Sequence, residues 1–333
     1  MRRAGTIALL LATTTACGAA ADDATLDDGG ELVDATHDQG TDALPGEDAH
    51  DAAARDAADT RAEDTPAEDT HVDASPPVDV DPDTIPWQTG ATVGVGVARK
   101  DTGNWRGTNP FIAYAGYGVS LAAAEKWATA LYRATLRDRG VRFVYAVQGP
   151  ADSTYTGKEI GNSKIAASLL GEIGAATKFV LVAGHSSGSF VAHELLGQLE
   201  GGLDPAGVTK GRVVYFDLDG GTLYLSSAIV TRLRRAYFVG SKSAETGTAS
   251  PNDSDMRSGA ATYAAEGATY FQNVATSSGC NAGAIWCVHV TLVTTRPHDP
   301  AGASAELDYS DFAARPVAHG WLDAKASEAG LSP

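Results

Sequence analysis

From Pro86 on, apolar runs of strand length alternate with stretches of helical periodicity, and no other feature of the sequence constrains the fold as much. The runs are 91–98 (ATVGVGVA), 111–116 (FIAYAG), 141–147 (VRFVYAV), 178–183 (KFVLVA), 212–217 (RVVYFD), 235–240 (RAYFVG) and 286–295 (WCVHVTLVTT). Between them, 120–139 repeats Ala124, Trp127, Ala128 and Leu131 on one face and stops at Gly140. Ile165, Leu169 and Ile173 share a face of 163–173, and Val191, Ala192, Leu195 and Leu199 share a face of the next helix. Helices are also expected over 223–234 and 258–272, with 305–326 closing the chain as helix and loop. Strands that are apolar throughout are buried on both faces, and helical crossovers make neighbours parallel. The expected class is α/β, with a mostly parallel central sheet and helices on both faces. No internal repeat is visible, and no apolar run has the length of a transmembrane helix.

Charge divides the chain. Residues 22–84 carry 17 Asp and 4 Glu against Arg55 and Arg61, a net of −19, and contain no Phe, Trp or Tyr. The whole chain has a formal charge of −17, and Arg2 and Arg3 contribute +2, so the 249 residues from 85 to 333 are neutral. Such a body is large enough for one sizeable core and lacks the basic face of a nucleic-acid binder. The acidic stretch cannot bury enough apolar surface to offset its ordering entropy, and its like charges repel. The expectation is a disordered Asp/Ala-rich tether over 18–84, followed by a folded domain over 85–333. Asp79, Asp81 and Asp83 give D-x-D-x-D, but Thr84 and Gly90 stand where a calcium loop needs Gly and Glu, which excludes an EF-hand.

Arg2 and Arg3, then the apolar stretch around 7–11, then small residues ending in Ala16-Cys17, read as a secretory signal. The arrangement resembles a bacterial lipoprotein signal over 1–17, with Thr14 where Leu is commonest. The resemblance implies lipidation of Cys17, anchoring to a membrane by that lipid, and a place in the cell envelope, at the outer membrane or cell surface. Cys280 and Cys287 then remain as an even pair in an exported chain, for which the readings are a local disulfide or two buried thiols. Two cysteines without a matching pair make a poor zinc site.

Gly184-His185-Ser186-Ser187-Gly188 matches G-x-S-x-G, directly after an apolar strand and directly before an amphipathic helix. A sharp strand-to-helix turn lifts the serine hydroxyl from the sheet end, and side chains at the flanking positions would collide with the adjoining elements. Here the chain resembles the α/β-hydrolase superfamily, esterases and lipases in particular, over most of 110–325. The resemblance implies a serine nucleophile at Ser186 and a chain order of serine, acid, histidine. It implies an oxyanion hole from the N–H groups of Ser187 and of Tyr117, in Ala115-Gly116-Tyr117-Gly118. For the base it points to His298, in the loop after the expected last strand. His289, inside that strand, and His319 are alternatives, and His193 is expected on the solvated side of its helix. For the acid it favours Asp219, in Phe216-Asp217-Leu218-Asp219, then Asp217, then Asp253. Loops 149–162 and 242–257 would border the pocket.

In that reading the chain is a carboxylesterase or lipase on a small-molecule or lipid ester, working through an acyl-enzyme on Ser186 without metal or organic cofactor. A binding or adhesion lipoprotein on the same fold, or a peptidase or acyltransferase with the same triad, remain the alternatives. The sequence does not specify an oligomeric state.

Overall fold

The computed structural model describes residues 81, 84–151, 160–275, 285–293 and 324–331. All belong to one unit, His71–Pro333. Cys17, Cys280, His298, His319 and nearly all of the acidic stretch lie outside the described residues.

Seven strands form one sheet: β1 (Val97–Asp101), β2 (Asn109–Tyr114), β3 (Val141–Val147), β4 (Val180–His185), β5 (Val213–Leu218), β6 (Arg235–Ser243) and β7 (Ala268–Ala275). Their spatial order is β1-β3-β2-β4-β5-β6-β7. Only β1 runs antiparallel to its neighbour; the other pairings are parallel. The fold is the mostly parallel α/β arrangement expected from the alternation of strands and helices.

Period-2 alternation explains why the strands read as continuous apolar runs. In β2, Phe111 and Ala113 enter one core while Ile112 and Tyr114 enter the other, and all four are essentially inaccessible. The first core is covered by α1 (Leu121–Leu131), by α6 (Ile285–Val290) and by the helical turns at 324–328. The second is covered by α2 (Asn162–Glu172), α3 (Gly188–Gln198), α4 (Ser227–Arg232) and α5 (Asp253–Thr262). Truncating a fully enclosed residue such as Ile112 to Ala would cost about 2–5 kcal/mol.

Local signals set the boundaries. Ser120 caps α1, its hydroxyl accepting from the Ala123 N–H at 3.3 Å. The helix loosens over Tyr132–Leu136, tightens over Arg137–Arg139 and ends at Gly140, whose φ of 71° suits glycine.

Four expectations are corrected. Residues 91–96 form turns, and the first strand begins at Val97. The helix expected over 258–272 is two elements: α5 with a short 3-10 turn, ended by Gly267 at φ 87°, and then β7. The strand expected over 286–295 begins instead as the helix α6. His193, expected in solvent, is wholly buried. In α6 the residues Cys287, Val288, His289 and Val290 are all buried, so the packing of four consecutive residues overrides the β-branched composition. The last strand of the described sheet is therefore β7, and His289 follows it.

Candidate active site

Parallel α/β sheets place functional groups at the carboxyl ends of their strands, and the chemistry-bearing residues here collect at the ends of β2, β4 and β5. β4 ends at His185 and α3 begins at Gly188, leaving Ser186 and Ser187 in the turn. Ser186 has φ 54°, a left-handed backbone that costs a non-glycine residue about 1–3 kcal/mol. The neighbouring elements hold it there. Its N–H donates to Leu218 O at 3.0 Å, and its carbonyl accepts from the Ser189 N–H at 2.9 Å. Ser186 is half-buried, whereas His185 and Ser187 on either side are buried.

The flanking glycines are required by space. A Cβ on Gly184 would lie 2.6 Å from Ser189 Cα. One on Gly188 would strike the carbonyl oxygens of Tyr114, at 2.5 Å, and of Ala115. On the β2 side, Gly116 approaches so closely that a Cβ there would sit 3.2 Å from Ser186 Cβ. Tyr117, half exposed, follows it. The Tyr117 peptide and the N-terminus of α3 at Ser187 thus flank Ser186, and a helix N-terminus favours negative charge.

Asp219 leaves the end of β5, also with a positive φ, 55°, and its N–H donates to Val239 O at 2.9 Å. Its side chain is fully buried. Oδ2 lies 2.6 Å from Nδ1 of His289. Oδ1 accepts from the Ser250 hydroxyl at 2.7 Å, and the Asn252 amide donates to the Asp219 carbonyl at 2.6 Å. A carboxylate only accepts, so the Nδ1 of a neutral His289 carries the proton and its Nε2 carries the lone pair. The acid turn also touches the elbow, because a Cβ on Gly220 would lie 2.6 Å from Ser186 O.

The His289 ring stacks on the ring of His185, the residue before Ser186, with centroids 4.8 Å apart and planes 26° apart. Trp127 meets His185 edge-on at 6.5 Å. Burial holds the His185 imidazole well below its ordinary value, and His289 beside it lowers it further; a backbone hydrogen bond with His289 acts the other way. Trp286, one turn before His289 in α6, stands perpendicular to the His289 ring at 5.5 Å and is 40% exposed.

Beneath the elbow lies a second polar cluster. Asp217 Oδ1 accepts from the Ser189 hydroxyl at 2.8 Å and from the Gly220 N–H at 2.9 Å. Its Oδ2 is 3.4 Å from His193 Nε2, which also meets the Tyr215 hydroxyl at 2.8 Å. His193 Nδ1 donates to Leu223 O at 2.6 Å. Asp217, His193 and Ser189 are all fully buried, and burial raises the Tyr215 phenol well above its ordinary value. Asp217 thus ties α3, β5 and the acid turn together without reaching His289.

Asp253, the third acid candidate, is held elsewhere. Its carboxylate takes bonds from Tyr270, from Gln272 Nε2 at 3.2 Å and from Arg257 Nε at 2.9 Å. Of the candidate bases, His289 is the one that receives a carboxylate among the described residues; His298, the first choice from sequence, lies outside them. Ser250 and Asn252, which hold Asp219, come from the loop after β6, and no sequence signal singled them out. The described residues contain no group of three or more His, Cys, Asp or Glu side chains able to hold a metal. None of their helices is long and apolar enough to cross a membrane.

No family model and no curated protein sequence matches the chain. Among solved structures it is similar to carboxyl esterase 2 from the mycorrhizal fungus Tuber melanosporum, at 10% identity, covering 74% of this chain and 85% of that one with a TM-score of 0.46. It is also similar to a thermophilic, thermostable carboxylesterase cloned from a metagenomic library, at 12% identity, 75% and 91% coverage and a TM-score of 0.44. A third similar structure is a predicted CIB-like hydrolase from Thermoplasma acidophilum, at 14% identity, 58% and 88% coverage and a TM-score of 0.31.

Proposed function

We propose that the chain is a serine hydrolase of carboxylic esters, with Ser186 as nucleophile, His289 in place of His298 as general base, and Asp219 as the orienting acid. The observation that carries this reading is the 2.6 Å bond between Asp219 and His289, formed against the residue preceding a strained strand-to-helix serine. Nε2 of His289 takes the Ser186 proton as Oγ attacks the ester carbonyl. The N–H groups of Ser187 and Tyr117 receive the oxyanion. Asp219 fixes the tautomer and stabilises the imidazolium, and water then hydrolyses the acyl-enzyme by the same base. None of these steps calls on a metal or organic cofactor.

The test is labelling with a fluorophosphonate probe. Wild-type protein should be labelled, and Ser186→Ala and His289→Ala should not. Equal labelling of wild type and Ser186→Ala would remove the reading.

We further propose that the domain is exported on a lipid at Cys17 and tethered to the outer membrane or cell surface by residues 18–84, and that Cys280 and Cys287 are bridged. The support is the charged-apolar-small pattern before Cys17, the −19 charge of 22–84, and the even cysteine count that remains.

A further inference from the structure

Several large apolar side chains that stay exposed follow or open the segments that carry the candidate triad. Of the nine among the described residues, Tyr117 follows the Gly116 that abuts Ser186, Leu223 and Tyr224 follow the Asp219 turn, and Ile285 and Trp286 open the helix that carries His289. Apolar exposure collected in this way marks a binding surface.

Trp286 has the most defined relation to the chemistry. Its ring is perpendicular to that of His289 at 5.5 Å, and 40% of the residue remains accessible. The other sides of the imidazole are partly taken: Asp219 holds Nδ1, and His185 stacks against the ring. In acylation Ser186 Oγ bonds to the carbonyl carbon and its proton moves to His289 Nε2. The carbonyl–alkoxy bond then breaks, its electron pair leaves on the alcohol oxygen, and that oxygen takes the proton back from Nε2. The alcohol oxygen must therefore come within hydrogen-bonding distance of Nε2. The indole is centred 5.5 Å from the imidazole that this oxygen must approach.

We propose that Trp286 contacts the alcohol portion of the ester and makes the site selective for esters of apolar, aromatic alcohols. The proposal rests on the serine-hydrolase reading above. It makes Trp286 a specificity-determining residue, because the exposed indole loses water only when an apolar alcohol covers it.

The test compares benzyl butyrate with methyl butyrate, which share an acyl group and release alcohols of similar basicity. Trp286→Ala should lower kcat/KM for the benzyl ester about tenfold more than for the methyl ester. Trp286→Phe, which keeps a ring, should retain most of the benzyl preference. Because the alcohol has left before deacylation, the loss should be larger in the acylation rate than in the deacylation rate. Equal losses on both esters would overturn the proposal, since Trp286 would then act only through His289. An undiminished benzyl rate would overturn it too. If Trp286→Ala fails to fold, Trp286→Leu set against Trp286→Phe reads the same ring contribution. Wild-type protein that neither turns over an ester nor takes the fluorophosphonate label would instead remove the hydrolase reading, and this inference with it.

Discussion

The Asp219 carboxylate and the His289 imidazole, seventy positions apart in the chain, meet at 2.6 Å with both side chains buried. A buried carboxylate is costly unless its oxygens are satisfied, and here each has a partner: His289 on one, Ser250 on the other. The pair is thereby fixed in one tautomer and one orientation, which is what a general base needs before substrate arrives.

His289→Ala should lower kcat/KM for a simple ester by about 10³-fold or more, as for any triad member removed alone. His298→Ala should lower it less than tenfold, an estimate that follows from the Asp219 carboxylate being held by His289. Steady-state assays of the two purified variants decide it. A larger loss in the His298 variant would return the base to the position first read from sequence.

Asp219→Asn and Asp217→Asn should separate catalysis from stability. The amide at 219 favours the wrong imidazole tautomer, and a kcat loss of about 10³–10⁴-fold is expected with a small change in melting temperature. At 217 the carboxylate serves Ser189, Gly220 and His193 in a fully buried cluster. Its neutral replacement should cost about 1–3 kcal/mol in urea unfolding, with the smaller effect on kcat. The measurement is a pair of denaturation curves beside a pair of kcat values.

Why the elbow was legible and the surroundings of His289 were not has a physical explanation. G-H-S-S-G is readable because two backbone collisions force glycine at fixed positions and the flanking strand and helix are both long enough to show their periods. Asp219 is readable as the end of an apolar strand. α6 has only six residues, four of them buried in succession, so neither period 2 nor period 3.6 can emerge, and its valines mimic a strand. The Ala-rich stretch before β7 hid the real last strand in turn. Those two differences put the expected end of the sheet some twenty residues further along the chain than β7, and the expectation of a base at His298 was built on that end.

Gly188→Ala should disrupt the fold more than an ordinary helix substitution, because the added methyl meets the Tyr114 and Ala115 carbonyls, which are backbone at the end of a central strand. A loss of several kcal/mol, on the order of other overpacked core sites, is expected. Gly171→Ala in α2, with nothing near its Cβ, is the control and should stabilise by about 0.4–1 kcal/mol. Thermal melts of the two variants should move in opposite directions.

Export is checked by fractionation. Cys17→Ser should release the protein from membranes into the soluble fraction, and a chain beginning near Thr84 should keep the melting temperature and ester turnover of the full domain. Unchanged membrane partitioning would remove the lipid anchor. A lowered melting temperature in the shortened chain would show that the acidic segment stabilises the domain.

His185 gives the stability of the domain a pH dependence of known sign. Burial and the adjacent His289 keep its folded value well below the value of about 6.5 that an unfolded histidine has. As pH falls through that unfolded value, the unfolded chain binds a proton that the native state refuses, so stability falls. The slope from this one group approaches about 1.4 kcal/mol per pH unit. The loss stops only when pH drops through the folded value, where the native state accepts the proton as well. Above the unfolded value His185 contributes no slope. His185→Gln leaves no group to titrate, so the difference in unfolding free energy between wild type and variant should change steadily from pH 7 to pH 5, with wild type the one that weakens. Parallel curves over that range would mean that folded His185 takes up its proton as readily as the unfolded chain does, which its burial and its stacking on His289 oppose.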